Sequence, residues 1–274
     1  MNLWLVALIV TAAAAAAVGI MYQVRRRSSV DHFFIEIERG AGIFAFLGTA
    51  FAVILAFVVL EAFQSFDDAK SGAEEEATTV VQLSRTAQFF PPDQRDPIEG
   101  TLVCYGRAVI HDEWPKMKEG ERSQLVQIWV NRFQGDLKQL RPETPAEESA
   151  FLQLLDQQDK RTDARRARLS EANRALPAPV WFFLFLGAFI TIGFALFFAD
   201  RREHFIVQGS LIAAITALVV SGLLLVWFLD HPYENQSGSI KPDEMERQLV
   251  IVRAEHRDVP PPCDEVGRPV ARPV

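Results

Sequence analysis

The sequence predicts an all-α integral membrane protein, with four transmembrane helices and a helical domain inserted between spans 2 and 3. Four stretches with almost no charge indicate this: Leu3–Tyr22, Ile43–Leu60, Val180–Ala199 and Phe205–Leu229. Each has about 18 residues or more, enough to cross a hydrocarbon core of roughly 30 Å. A buried helix in a soluble protein is rarely apolar on every side for so long. We therefore assign 1–63 to spans 1 and 2, 64–178 to the inserted domain with its stalk helices, 179–229 to spans 3 and 4, and 230–274 to a Pro-rich, partly helical tail.

The first span is predicted to be an uncleaved anchor. A signal peptide carries positive charge before its apolar core, but here the N-terminal MNLWLV has no basic residue and Arg25-Arg26-Arg27 follow the core. The run TAAAAAAVGI is compatible with a cleavage site, so removal of this segment stays an alternative.

The orientation depends on two sets of arginines that disagree. Short loops rich in Lys and Arg stay in the cytoplasm, whereas long domains translocate largely regardless of charge. The short loops 23–42 and 200–204 would then be cytoplasmic, with the large domain and both termini outside the cytoplasm. The segment 160–174, which is also basic and precedes the third span, favours the reverse. The arginines of the short loops are Arg25, Arg26, Arg27, Arg39, Arg201 and Arg202.

The second span has no helix-breaking residue where it leaves the membrane. From Ile54 to Val80 the chain contains no proline and a single glycine, Gly72. We predict that this helix continues as a stalk as far as the Phe-Phe-Pro-Pro sequence at 89–92 and packs beside a returning stalk before the third span. The acidic run Glu74–Glu76 would then reach an arginine cluster on the returning stalk. A solvated acidic face is the alternative. The cluster is Arg161, Arg165, Arg166 and Arg168.

Three more helices are predicted in the inserted domain, at about Pro97–His111, Ser123–Leu140 and Thr144–Asn173. The last has the clearest start, because Thr144-Pro145-Ala146-Glu147 combines an N-cap threonine, proline at the first helical position and a capping glutamate.

Aromatic residues recur along the second span and suggest a pore. Phe44, Phe51 and Phe57 are candidates for an apolar constriction in an oligomeric channel, with Glu61 at its mouth. Packing against lipid or neighbouring helices is the alternative for the three rings. Small residues at four-residue spacing, such as Gly187 and Gly209, predict close approach between helices. Because no ionisable residue lies in the middle of a span, a pump or coupled transporter is disfavoured.

The sequence offers no catalytic constellation, and we predict neither an enzyme nor a cofactor. The five histidines are scattered and form no metal-ligating pattern. The acidic pI of about 5.3 and the lack of a basic stripe argue against nucleic acid as a partner.

The two cysteines, Cys104 and Cys263, face the same compartment whichever way four spans insert. A disulfide between them is one prediction, since the Pro-rich tail around Cys263 has the freedom to reach back. The alternative is that Cys104 is buried as a small apolar residue.

Several of these pieces resemble the bestrophin-like domain membrane proteins, a family of unknown function found mostly in bacteria. The resemblance covers roughly 40–249 and includes LEAFQSFDDA followed by EEEA, E-W-P-x-M, RRARL, L-P-x-x-x-W and the ending LDHPYENQSGSIKP. Tyr233 is a departure, since phenylalanine is more usual there. The motif residues that we single out are Glu113, Trp114, Pro115, Arg166, Asp230 and Pro232.

We expect a multi-pass protein of the bacterial inner membrane that forms a homo-oligomer in the lipid bilayer, with an inorganic ion as its partner if it is a channel. What the resemblance itself implies about function is limited. The family name reflects a distant likeness to bestrophins, which are pentameric anion channels gated by calcium in animals. Acidic side chains near a pore mouth favour cations instead, so Glu61, Asp67 and Asp68 do not fit chloride. The E-W-P motif is either functional or a helix stop created by Pro115.

The sequence is compatible with two main functions from different classes, and transport of a small molecule is a third alternative. One is an oligomeric ion channel with the second span lining the pore and its stalk forming a vestibule. The other is a membrane-anchored interaction or sensing protein whose helical domain binds a partner.

Overall fold

The computed structural model describes residues 2–27, 37–170, 172, 176–198, 203–234, 236–255 and 260–270, and these form helices without a β-strand. Arg201 and Arg202 of the second short loop, and Arg174 at the end of the basic segment 160–174, lie outside the described residues. In chain order the helices are α1 (Leu3–Arg27), α2 (Ile37–Ala87), α3 (Pro92–Ala108), a π-helical turn (Val109–Glu113), α4 (Trp114–Met117), α5 (Gln124–Gln139), α6 (Pro145–Ser170), α7 (Ala178–Leu196), α8 (Phe205–Leu229) and α9 (Asp243–Glu255).

Four of these helices, α1, α2, α7 and α8, are long and apolar enough to cross a membrane. The structure therefore has a candidate membrane helix at each of the four predicted spans. The second span and its stalk are one helix of 51 residues that ends at Ala87, as the absence of a breaker predicted.

The chain divides into two compact units. The membrane unit comprises Met1–Ser65, Arg174–His231 and Asn235–Gly238, and the helical unit comprises Phe66–Asn173, Pro232–Glu234 and Ser239–Val274. Each unit has its own buried residues, and they are described separately below.

Glycines allow the helices of the membrane unit to approach closely. A Cβ at Gly209 on α8 would lie 3.6 Å from Val18 Cγ1 on α1, and a Cβ at Gly187 on α7 would collide with the Phe51 ring of α2. These contacts confirm the predicted role of small residues on α7 and α8. Gly48 begins the same four-residue spacing on α2, but no atom of the described residues lies within 4 Å of its Cβ position, so close approach is not supported there.

The helices of the helical unit start close to their predicted positions. Ser123 caps α5 by accepting a hydrogen bond from Val126 N at 3.0 Å. The capping box of α6 is also present, because Glu147 N donates to Thr144 Oγ1 at 3.2 Å and Thr144 N donates to the Glu147 carboxylate at 3.4 Å. The α3 helix begins five residues before its predicted start, at Pro92, because proline suits the first helical turn.

A disulfide joins Cys104 on α3 to Cys263 in the tail, with their Cα atoms 5.8 Å apart. Two further contacts hold the tail: Arg107 Nη1 donates to the Asp264 carbonyl at 2.9 Å, and Trp129 Nε1 donates to the Gly267 carbonyl at 2.7 Å. The structure thus has the predicted bridge, and Cys104 is buried as a member of it.

Candidate functional site

The four predicted pore residues do not share one side of α2. The Phe44 ring lies 6.0 Å from that of Phe194 and 5.7 Å from that of Phe198. Phe51 is buried and contacts Gly187. Both rings thus pack within the membrane unit of a single chain. The remaining two candidates, Phe57 and Glu61, are exposed.

A line of exposed residues runs along α2 and is here called the α2 stripe; other exposed residues of this helix, such as Ile54 and Phe63, lie on either side of it. Phe57 is 69% exposed and Phe46 is 73% exposed. Steps of seven, four and three residues return to the same side of a helix, so the stripe is one face. The stripe is apolar from Phe46 to Leu60 and polar at Glu61 and Gln64. Its members are Phe46, Val53, Phe57, Leu60, Glu61 and Gln64.

The helical unit contains a buried group of charges, here called the ion cluster. At its centre is Arg168 of α6, which donates from Nε to Glu76 Oε2 at 2.5 Å and from Nη2 to Glu113 Oε2 at 2.7 Å. Arg165 donates from Nη2 to Glu113 Oε1 at 2.6 Å, and Tyr105 donates its hydroxyl to Glu76. The side chains of Glu76, Glu113 and Arg168 have no exposed surface.

The charges of the ion cluster stabilise one another's ionised forms. Burial alone raises the pKa of Glu113, but the neighbouring Arg168 and Arg165 outweigh it, so this pKa lies below its ordinary value. Burial lowers the pKa of Arg168, yet Glu76 and Glu113 hold it well above its ordinary value. Burial and the Glu76 charge raise the pKa of Tyr105. The Glu113 carboxylate and the Arg168 guanidinium group therefore remain charged, and Tyr105 stays a neutral donor.

The predicted pairing of the two stalks is confirmed for one glutamate of the acidic run. Glu76 binds Arg168, whereas Glu74 lies 3.9 Å from Lys70 on its own helix. The motif residue Arg166 pairs with Asp163 at 2.8 Å on the surface of α6. Close approach at Gly72 permits the pairing, since a Cβ there would lie 3.0 Å from the Ala164 carbonyl oxygen.

The E-W-P motif lies at a widened helical turn. Glu113 ends the π-helical turn and α4 begins at Trp114, so Pro115 does not stop the helix. Proline lacks an N–H group and crowds the preceding turn, which a π-helical turn accommodates. Trp114 is buried edge-on against Tyr233, with ring centroids 5.7 Å apart. Arg168 Cζ lies 5.2 Å from the centre of the Trp114 ring.

The two motif residues near the end of α8 have structural roles. In the membrane unit Asp230 accepts hydrogen bonds from Leu176 N at 2.9 Å and from Trp181 Nε1 at 3.2 Å. In the helical unit the Pro232 carbonyl accepts from Ile240 N at 2.9 Å. The sequence did not predict the hydrogen bonds from Leu176 and Trp181 to Asp230, although all three residues belong to the motifs that carry the family resemblance.

The described residues contain no group of three or more His, Cys, Asp or Glu side chains arranged to hold a metal ion. Within them the ion cluster joins α2, α3 and α6 through buried ion pairs and hydrogen bonds, and the α2 stripe is an exposed, mostly apolar face of the membrane unit.

Comparison with known proteins places this architecture. The family model of the Bestrophin-like domain matches residues 8–242. A bacterial bestrophin homologue from Klebsiella pneumoniae has a similar structure, with a TM-score of 0.67 and 17% identity over 91% of this chain and 97% of that one. A single-residue variant of that homologue gives a TM-score of 0.66 at 16% identity, over 89% and 96% of the two chains. A search of curated protein sequences finds no match.

Proposed function

Because the chain belongs to the family of Bestrophin-like domain proteins, we propose that it is an oligomeric ion channel of the cell membrane, with α2 lining the pore. The α2 stripe is the observation that supports this proposal most. It presents Phe57 and Phe46 outward from the membrane unit of a single chain. Copies arranged around an axis would bring these stripes together and enclose a conduit.

The proposed constriction is a ring of Phe57 side chains, one from each copy. Apolar rings of this kind gate by excluding water when the pore is narrow. The earlier candidates Phe44 and Phe51 contact α7 or its end within the same chain, so we place them behind the pore wall.

Cations are the proposed permeant ions. Glu61 lies one helical turn beyond Phe57 and is exposed, so an oligomer would carry a ring of carboxylates there. Rings of acidic side chains favour cations, and this also separates the proposal from the anion conduction implied by the distant bestrophin likeness.

The proposal is tested with purified protein in planar bilayers under a sodium chloride gradient. We expect single-channel currents whose reversal potential lies toward the value for sodium. In Glu61→Gln the reversal potential should move toward zero, whereas Glu121→Gln, an exposed residue of the helical unit, should leave it unchanged. Absence of current across a range of voltage, pH and calcium contradicts the proposal.

We propose further that the helical unit and both termini lie outside the cytoplasm. The Cys104–Cys263 disulfide supports this orientation, because disulfides persist in oxidising compartments and are rare in the cytosol. The arginines at the end of α1 support the same orientation through the positive-inside rule.

Thiol labelling in intact cells tests the orientation. Ser237→Cys should react with a membrane-impermeant reagent, and Ser28→Cys, in the first short loop and outside the described residues, should be protected. Both native cysteines are bonded, so the background is low. The reverse labelling pattern contradicts this orientation.

The second candidate function is a membrane-anchored interaction or sensing protein. The separate core of the helical unit favours it, since this unit has its own disulfide and ion cluster. A monomeric protein without conductance, whose helical unit captures a partner, would support this function over the channel.

A further inference from the structure

A cavity of about 370 Å³ lies among α2, α7 and α8 in the membrane unit. This volume is within the range of small-molecule sites, roughly 300–1,000 Å³. Its wall is mostly aliphatic and aromatic, and its two polar lining residues are Gln208 and Glu203. Apolar lining residues include Ala41, Phe44, Ala195, Leu211, Ile212 and Ile215.

The polar side of the cavity is fixed by a buried amide and an arginine. Gln208 is 9% exposed and donates from Nε2 to the Phe198 carbonyl at 2.8 Å. Its Oε1 accepts from Arg25 Nη1 at 3.3 Å, and Arg25 Nη2 donates to the Glu203 carbonyl oxygen at 3.0 Å. A guanidinium group at the end of α1 is thus held against two residues that line the cavity.

We propose that this cavity holds one acyl chain of a phosphatidylethanolamine molecule, with the headgroup at the polar side. The bilayer supplies such chains at high local concentration, and the apolar wall suits one. Arg25 is placed to attract the phosphate, because basic pockets between transmembrane helices bind lipid phosphates. Glu203 is exposed and lines the cavity, and its carboxylate would attract the ammonium group.

Among the described residues, the pairing of the Arg25 guanidinium group with the Glu203 carboxylate selects this headgroup. A phosphatidylglycerol headgroup carries a phosphate but no ammonium group, so Glu203 would repel it rather than bind it. The site therefore discriminates through Glu203, while Arg25 contributes to binding of either lipid. This inference does not depend on whether the protein conducts ions.

Native mass spectrometry of the full-length protein, released from vesicles of equal phosphatidylethanolamine and phosphatidylglycerol content, tests the acyl-chain site. Leu211 and Leu218 are both exposed leucines of α8, seven residues apart, and Leu211 lines the cavity. Leu211→Trp should fill the cavity and lower the retained phosphatidylethanolamine by about tenfold, as expected for losing roughly two buried methylenes. Leu218→Trp should retain it at the wild-type level.

The relative retention of the two lipids tests the headgroup assignment. Wild-type protein should retain phosphatidylethanolamine in preference to phosphatidylglycerol, and Glu203→Gln should remove that preference without removing lipid binding. The proposal is overturned by wild-type protein that retains no lipid, by equal loss in the two tryptophan variants, or by a wild-type preference for phosphatidylglycerol. Circular dichroism of each variant excludes unfolding as the cause.

Discussion

Replacement of Glu113 by glutamine should destabilise the helical unit strongly. The Glu113 carboxylate accepts hydrogen bonds from Arg165, Arg168 and the backbone N–H of Ser123. A glutamine has one acceptor oxygen, and its NH₂ group would face an arginine donor. Removing one partner of a buried ion pair costs about 3–5 kcal/mol, because the other charge stays buried without compensation.

The assay is thermal unfolding of the purified protein followed by circular dichroism. At about 2–4 °C per kcal/mol for a unit of this size, the transition should fall by roughly 6–20 °C. Asp163→Asn is the matched control, since it also removes one carboxylate that pairs with an arginine of α6, but on the surface. The control should unfold close to wild type. A Glu113→Gln transition within the scatter of that control would refute the structural role of the ion cluster.

The pH dependence gives a second readout of the same residue. Because the folded-state pKa of Glu113 is depressed, its stabilising effect is present above the unfolded-state value of about 4.3 and is lost as pH falls through the folded value. Glu113→Gln should lack this part of the acid-induced destabilisation. The difference in free energy of unfolding between the variant and wild type should therefore be smallest at low pH.

The disulfide, the buried Glu99 and the close approach at Gly187 each give one further prediction. Reduction of the Cys104–Cys263 disulfide, which spans 159 residues, should lower the free energy of unfolding by about 5 kcal/mol in the chain-entropy model, and mass mapping without reductant should find no free thiol. Burial raises the pKa of Glu99 to about 8. The contribution of Glu99 to the free energy of unfolding is therefore full below about pH 4.3 and is lost as pH rises toward 8. Denaturant unfolding should show that Glu99→Gln gains stability relative to wild type as pH rises from about 4.3 to 8. Gly187→Leu should collide with Phe51 and lower the yield of folded protein in detergent chromatography, whereas Gly135→Leu, at a glycine with open space, should not.

The spans and the long α2 helix were predictable because local sequence determines them. Uninterrupted apolar length identifies a membrane helix whatever surrounds it, and the absence of proline after Leu60 indicated that α2 continues. The α6 capping box was predictable for the same reason, since Thr144 and Glu147 interact within one turn.

The candidate site was predicted only in part, because it depends on which face of a helix meets another. Periodicity grouped Phe44 and Phe51 with Phe57, but contacts with α7 separate them. The acidic run indicated an ion pair between the stalks. Which of its glutamates faces Arg168 depends on the rotation of α2 about its axis, and the structure shows that it is Glu76. Glu113 was noticed as a motif residue, but its burial between two arginines requires the fold of α3 against α6.

Thiol block of single-channel current tests most directly whether α2 lines a pore. The native cysteines are bonded to each other, so an introduced cysteine is the free thiol that a water-soluble methanethiosulfonate reagent finds. Phe57 and Phe182 are 69% and 67% exposed in one chain, and only Phe57 lies on the α2 stripe. Current through Phe57→Cys should be blocked by the reagent, and current through Phe182→Cys should persist. A block confined to Phe182→Cys, or current through Phe57→Cys that the reagent leaves unchanged, would contradict the pore.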